Sequence, residues 1–281
     1  MSAQRIDGKA IGQKVRQEVA SRAAAFAAER GRPPGLALLV VGDQAGSVQH
    51  VRNKARAGQS VGIAAQAEQL PAGIAEAELI ARVGELNRAP EIDGILVQLP
   101  LPEHLDPMRV LAAIDPHKDV DALTPENAGL LALGKPRFVP CTPLGCMRLL
   151  DEIAYELAGE RALVIGRSNL VGKPLALLLL ARHATVTLAH SQSLDLADLI
   201  AQADVLVSAA GRANLVRGEW VKPGAVVIDV GQNYEEGGKL CGDIEASAAE
   251  RASWITPVPG GVGPMTIAML LWNTLEAATS R

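Results

Sequence analysis

The 281-residue sequence predicts an α/β protein of two domains with largely parallel sheets, and three observations carry that reading. Short apolar runs alternate with stretches of helical spacing, the pattern of strands joined by crossover helices. The chain is long enough to bury two separate cores. Its residues are 48% hydrophobic and 21% charged, ordinary for a globular protein, but only 2% are aromatic. The cores must therefore be aliphatic.

Each element follows from local chemistry. Residues 11–30 have helical spacing and stop before Gly31-Arg32-Pro33-Pro34. Gly35 to Val41 is a buried strand closed by Gly42. Further helices are expected over 44–60, ended by Gly62, and over 76–86. Gly94 to Gln98 reads as a strand, and Gln98-Leu99-Pro100-Leu101-Pro102 leaves it extended because proline disfavours helix in the preceding residue. A helix is expected over 144–157, leading into a second block. That block opens with strand 162–165, the turn 166–172 and a helix over 174–182, where Pro174 suits the first turn. Strand 185–189, helix 195–202 and strands 205–208 and 225–230 complete a dinucleotide-type half. A final helix, 265–279, is expected to pack back on the first block and make it discontinuous.

The segment from Thr256 to Thr266 stands apart. Five of its first eight residues are Pro or Gly, which excludes a helix or a central strand and predicts an irregular, rigid loop. It carries no charge, so it is not an ordinary solvated loop. A Gly-rich, uncharged wall lets backbone approach a ligand closely.

Bulk properties exclude several function classes. A net charge of −4 and a pI near 5.8 argue against nucleic acid, which selects a basic surface. No apolar run reaches membrane-spanning length and the start lacks the apolar core of a signal peptide, so a cytoplasmic protein is expected. Cys141, Cys146 and Cys241 form no CxxC pair and no zinc spacing. They read as reduced thiols, mostly packed as small apolar groups, and no metal site is expected.

Two sets of residues carry candidate chemistry. In the second block, Gly166 ends a strand and Gly172 opens a helix, a geometry that presents peptide N–H groups to a pyrophosphate. The full G-x-G-x-x-G pattern is absent, because Ser168 and Val171 hold the later positions. The next strand runs into His190-Ser191-Gln192-Ser193, with no carboxylate for a ribose hydroxyl, while Arg167 offers a partner for a 2′-phosphate. That combination favours NADP over NAD. In the first block Lys54 lies four residues after His50, on the same helix face. Gln98 ends a strand where open sheets place ligands, and Asp121 follows in Lys118-Asp119-Val120-Asp121. A buried lysine near Gln and Asp is a candidate general acid/base, because burial disfavours the ammonium form. Taken singly, the same residues read as an exposed helix lysine, a strand terminus and a helix cap.

Together these pieces resemble the bifunctional methylenetetrahydrofolate dehydrogenase/methenyltetrahydrofolate cyclohydrolase family over nearly the whole chain. The carriers are Val51-Arg52-Asn53-Lys54, the segment Asp93 to Pro102, Lys118 to Asp121, and Pro140-Cys141-Thr142-Pro143. They continue through Ile165 to Ser168, Ala184 to Thr187 with His190-Ser191, Asp229-Val230-Gly231, and Thr256 to Thr266. The resemblance implies a folate-binding catalytic domain from residues 1–143 and 264–281, and a Rossmann-type NADP-binding domain from 144–263, with folate in the cleft. It also implies NADP-dependent oxidation of 5,10-methylenetetrahydrofolate and hydrolysis of the methenyl product to 10-formyltetrahydrofolate. By the same resemblance Lys54 supports water attack, Gln98 tunes Lys54, and Asp121 holds the pterin. Pro259, Gly260, Gly261 and Thr266 would line the folate site. Gly166, Arg167, Ser168, Gly172, Ser191 and Thr142 would contact the cofactor. A homodimer formed through the Rossmann-type domain is implied as well.

The chain departs from that family at the site. His50 stands where the family has a Tyr that stacks on folate, and Gln44-Ala45-Gly46-Ser47 replaces a more usual Asn-Pro-Ala-Ser. Ala122, Thr124, Gln232 and Tyr234 also differ from the usual residues. A histidine is smaller than tyrosine and can carry charge. Alternatives to the full bifunctional enzyme are therefore a paralogue with dehydrogenase but weak or altered cyclohydrolase activity, and a silent folate- or nucleotide-binding protein.

Overall fold

A computed structural model describes residues 2–235 and 237–280. In chain order the elements are β1 (Gln4–Arg5), α1 (Gly8–Arg30), β2 (Gly35–Val41), α2 (Ala45–Ser60), β3 (Ala64–Leu70), α3 (Glu76–Arg88), β4 (Gly94–Val97), α4 (Pro107–Ala112), α5 (Pro125–Ala132) and α6 (Cys141–Glu152). After them come β5 (Arg161–Ile165), α7 (Gly172–Ala181), β6 (Thr185–Ala189), α8 (Leu196–Gln202), β7 (Val205–Ser208), β8 (Val226–Asp229), β9 (Asn233–Tyr234), β10 (Leu240–Cys241), β11 (Trp254–Ile255) and α9 (Val262–Thr279). They form two compact units, one from residues 13–141 and 267–281, the other from 1–12 and 142–266.

The first unit is built on a parallel sheet of order β3-β2-β4. All seven residues of β2 are buried, as a strand covered on both faces requires. Leu39, Val41, Ile95 and Val97 pack against Leu79, Val83 and Leu86 of α3. Each such aliphatic side chain contributes about 1.5–3 kcal/mol on burial. Gly94 permits this packing, because a Cβ there would lie 2.7 Å from Val120 Cγ1. Two buried charges tie the edges. Asp93, 1% exposed, accepts from both Arg32 guanidinium nitrogens at 2.7 and 2.8 Å and from the Gly35 peptide at 2.8 Å. Lys118 donates to the Leu86 and Ala89 carbonyls at 3.0 and 2.8 Å, closing the C-terminus of α3. Residues from Ile267 onward in the C-terminal helix fall in this unit, where Asn273 donates to the Val120 and Val139 carbonyls at 2.8 and 2.9 Å.

The second unit is a six-stranded, all-parallel sheet of order β1-β11-β8-β7-β5-β6. Its core joins Leu163, Ile165, Leu206 and Val227 to Ile200, Val216 and Ile244. The strand order reverses at β5, so the switch point lies at its carboxyl end, where the 166–172 turn begins. Residues 1–12 fall in this unit rather than with the first block, because Gln4 and Arg5 pair with Trp254 and Ile255.

Several boundaries differ from expectation. α6 spans Cys141–Glu152, not 144–157; it stops where Ala154 takes a left-handed φ of 50°, leaving Leu157 buried outside the helix. The Pro/Gly-rich segment is irregular only as far as Gly261. α9 starts at Val262, because Pro264 falls in the first turn, where its missing N–H costs no helical bond.

Candidate active site

In the first unit, α2 buries Val51, Ala55 and Gly58. Lys54 sits at the margin of that face, half-buried, and donates to Gln98 Oε1 at 2.9 Å. Gln98 is held at both ends. Its peptide N–H extends the sheet to the Leu39 carbonyl at 2.8 Å, and its amide nitrogen donates to the Leu99 carbonyl at 2.6 Å. The second bond fixes which amide atom faces the lysine. Chain order and side-chain chemistry thus converge on one oriented Lys–Gln pair at the carboxyl end of β4. His50 lies one turn before Lys54 on α2 and is exposed.

Asp121 is positioned by its neighbours. Asp119 bridges to Ile95 beside β4 and accepts from the Thr124 peptide at 2.7 Å, the Leu123 peptide at 3.1 Å and Asn127 Nδ2 at 3.0 Å. Burial raises the Asp119 carboxyl above its ordinary value, against those hydrogen bonds. Thr124, which departs from the family pattern, caps α5 by accepting from the Asn127 peptide at 3.3 Å. Cys141, read from the sequence as one of three reduced, mostly packed thiols, is free and buried. Its thiol donates to the Val120 carbonyl at 3.4 Å. Burial first, and then the Asp121 charge, push this thiol well above its ordinary value, while the Lys54 charge opposes them. Lys54, Gln98, Asp121 and Cys141 therefore form one neighbourhood. No spacing in the sequence links Cys141 to Lys54; only the fold does.

In the second unit, Gly166 has φ 114°, and a Cβ there would come within 2.8 Å of the Ala209 carbonyl carbon. Only glycine suits that position. Gly172 packs back on the Gly166 carbonyl, where a Cβ would overlap it. Ser168 Oγ accepts from the Val171 and Gly172 peptides at 3.1 and 3.4 Å, and Lys173 donates to Asn169 at 2.8 Å. Ser168 is thus a local cap of α7, a use the spacing did not reveal. Arg167 and Ser168 are exposed on the turn, and Ser191 is exposed after β6. The turn after β6 is closed by Ser193, whose hydroxyl accepts from the His190 peptide at 2.9 Å.

Two buried carboxylates organise the carboxyl ends of β7 and β8. Asp229 accepts from the peptides of Gly231, Asp243 and Ile244 at 2.9, 3.0 and 3.0 Å. Burial raises its carboxyl to about 6, helped by the Asp243 charge and opposed by those bonds. Asp243, fully buried, accepts from Ser208 Oγ, the peptides of Ala210, Gly211 and Arg212, and Asn233 Nδ2, at 2.7–3.2 Å. Sequence reasoning missed Asp243 and Ser208.

The 256–261 loop belongs to this unit. Thr256 Oγ1 accepts from the Asp229 peptide at 2.8 Å, and the Gly260 carbonyl accepts from the Lys9 peptide at 3.0 Å. Gly260 has φ 105°, and a Cβ on Gly261 would lie 2.6 Å from the Pro257 carbonyl oxygen. Pro259 is exposed beside them. Thr142 and Thr266 are brought together, their hydroxyls 2.9 Å apart.

A dinucleotide-type parallel sheet in one unit, and an oriented Lys–Gln pair beside an acidic loop in the other, define an α/β enzyme of the nicotinamide-dependent kind. Family models agree in detail. The tetrahydrofolate dehydrogenase/cyclohydrolase catalytic domain matches residues 6–121, and the NAD(P)-binding domain of the same family matches 140–281. The chain belongs to the tetrahydrofolate dehydrogenase/cyclohydrolase family. It is 59% identical to the bifunctional protein FolD of Sorangium cellulosum, covering 100% of this chain and 99% of that one, and 56% identical to that of Polaromonas naphthalenivorans, covering 99% of each. Among solved structures, the bifunctional FolD of Campylobacter jejuni superposes with a TM-score of 0.98 at 43% identity and full coverage of both chains. The Trypanosoma brucei enzyme, complexed with NADP and an inhibitor, gives 0.96 at 40% identity, covering 100% of this chain and 98% of that one.

Proposed function

We infer that this chain oxidises 5,10-methylenetetrahydrofolate with NADP and hydrolyses the methenyl product to 10-formyltetrahydrofolate, two consecutive steps of one-carbon metabolism. The observation that carries the reading is the Lys54–Gln98 hydrogen bond of 2.9 Å, held in a chain that its family matches nearly end to end. A silent binding protein has no need to keep a lysine so oriented.

The two units divide the work. In the first, Asp121 anchors the reduced folate through its pterin, and His50 contacts the ring system where a tyrosine is usual. Lys54 Nζ takes part in the proton transfers as water adds to the methenyl carbon, and the C–N5 bond then breaks to leave the formyl group on N10. Gln98 keeps Nζ aimed during both events. Pro259, Gly260, Gly261 and Thr266, which belong to the second unit, are the further residues the family assigns to folate. In the second unit, Gly166 and Gly172 bring backbone near the pyrophosphate, and Arg167, Ser168, Ser191 and Thr142 supply polar contacts. A nicotinamide bound there would supply the hydride acceptor for the bridging methylene carbon; the protein's share is positioning. NADP is favoured over NAD because residues 190–193 carry no carboxylate and Arg167 stands exposed on the turn. The relative complexed with NADP supports the same choice.

We assign the active form as a homodimer through the second unit, supported by the outermost position of β6 and the exposure of Leu180 on α7. A cytoplasmic location fits helices of which none, among the described residues, is long and apolar enough to cross a membrane. Purified protein given methylenetetrahydrofolate and NADP is expected to form NADPH and the methenyl chromophore, with a lower KM for NADP than for NAD. Absence of both signals at saturating substrate overturns the reading.

A further inference from the structure

We propose that Asp243 is a positioning residue for the cofactor, acting through the 209–212 loop on the Gly166 turn. The proposal rests on the placement of NADP at that turn, and every contact behind it lies within the second unit. Asp243 Oδ2 accepts from Ser208 Oγ at 3.0 Å and from the Ala210 and Gly211 peptides at 2.7 and 3.2 Å. Oδ1 accepts from the Arg212 peptide at 2.9 Å and Asn233 Nδ2 at 2.9 Å. Three consecutive peptide N–H groups therefore close on one carboxylate, the arrangement by which a backbone nest normally holds an external anion. Here the anion is built in.

The gathered loop is the surface on which the cofactor turn rests. The Ala209 peptide donates to the Ile165 carbonyl at 2.7 Å, and a Cβ on Gly166 would stand 2.8 Å from the Ala209 carbonyl carbon and 3.4 Å from the Ala210 nitrogen. There is no slack between loop and turn, so a loop released from Asp243 moves the strand exit that carries Gly166. Asp243 is itself anchored: its peptide donates to Asp229 Oδ1 at 3.0 Å and its carbonyl accepts from Val216 at 3.0 Å. Glycines flank the pair on both sides, since a Cβ on Gly231 would overlap Asp243 and one on Gly242 would overlap Asp229. The carboxylate is fully buried and spent on five donors, so it presents no bare charge to a phosphate.

The cyclohydrolase step needs no nicotinamide and serves as an internal control. Asp243→Asn keeps the shape but offers a single acceptor oxygen, stranding at least two donors. Its expected effects are a tenfold or greater loss of NADP affinity by calorimetry, a matching rise in KM for NADP, and kcat at saturating NADP within threefold. Methenyltetrahydrofolate hydrolysis should stay within twofold, and amide exchange at 210–212 should accelerate in the cofactor-free protein. A folded variant that binds NADP like the parent overturns the proposal, as does an equal loss of hydrolysis, which marks a merely structural role. If Asp243→Asn does not fold, Ser208→Ala and Asn233→Ala each remove one donor and should raise KM for NADP two- to threefold; no rise in either overturns it. A parent protein that binds no NADP refutes the functional reading instead.

Discussion

Replacing Gln98 with Leu tests the site most directly. The substitution keeps bulk at the end of β4 but deletes the acceptor that Lys54 Nζ reaches at 2.9 Å, together with the bond to the Leu99 carbonyl. The peptide bond to Leu39 survives, so the sheet register is kept. A hydrogen bond to a charged group contributes about 1.5–3 kcal/mol. If that bond serves the transition state, its loss slows hydrolysis by about 10- to 100-fold, at about 1.4 kcal/mol per tenfold. Hydride transfer depends on alignment rather than on Nζ and should fall several-fold less. Both activities are followed on one preparation, hydrolysis as decay of the methenyl chromophore and oxidation as NADPH formation. Lys54→Met is the reference, expected to abolish hydrolysis while sparing oxidation more. Equal losses in the two activities refute the assignment, because they mean the pair only binds folate or orders the fold. A change below twofold in hydrolysis refutes it as well.

Other outcomes follow from particular residues. His50→Tyr should lower the ratio of hydrolysis to oxidation about two- to thirtyfold, since an aromatic face stabilises the methenyl cation, product of oxidation and reactant of hydrolysis, by about 0.5–2 kcal/mol; an unchanged ratio means the histidine already performs that role. Ala154 is exposed at φ 50°. A left-handed non-glycine costs about 1–2 kcal/mol, and glycine returns about 0.4–1 through the unfolded chain, so Ala154→Gly should stabilise by about 0.5–1 kcal/mol. A lower urea midpoint contradicts this. Asp229 titrates near 6 when folded, against an ordinary 3.8. The folded state therefore holds its proton more tightly, and this contribution to stability is full below about 4 and lost as pH rises through 6, on the order of 3 kcal/mol. The stability difference between parent and Asp229→Asn should shrink by that order between pH 4 and 7, and a flat difference refutes the raised value.

Much of this was legible in the chain because the signals are local. The apolar run of β2 and the glycine at the end of β5 announce themselves within a few residues. β3 did not: Ala64 to Leu70 has no β-branched or aromatic residue, and it is a strand because it pairs with β2 along its whole length. Lys54 and Gln98 were readable as candidates, and the family resemblance implied their bond, but no spacing shows it, since it joins helix to strand across 44 residues. Cys141 beside Asp121, and Asp243 beneath the 209–212 loop, left no mark in spacing at all. Burial and convergent peptide N–H groups belong to the fold, and a pattern of residue types does not encode them.

The pairing of Gln4 with Trp254 bears on how the chain is made. β1 waits for a partner made long after it, and the other unit is completed only by residues 267–281. Neither unit exists as one uninterrupted stretch, so neither can finish folding before its late segment has been made. Contacts so distant in sequence slow the search for the native state. An isolated piece of either unit needs its ends rejoined by circular permutation before it can be studied alone.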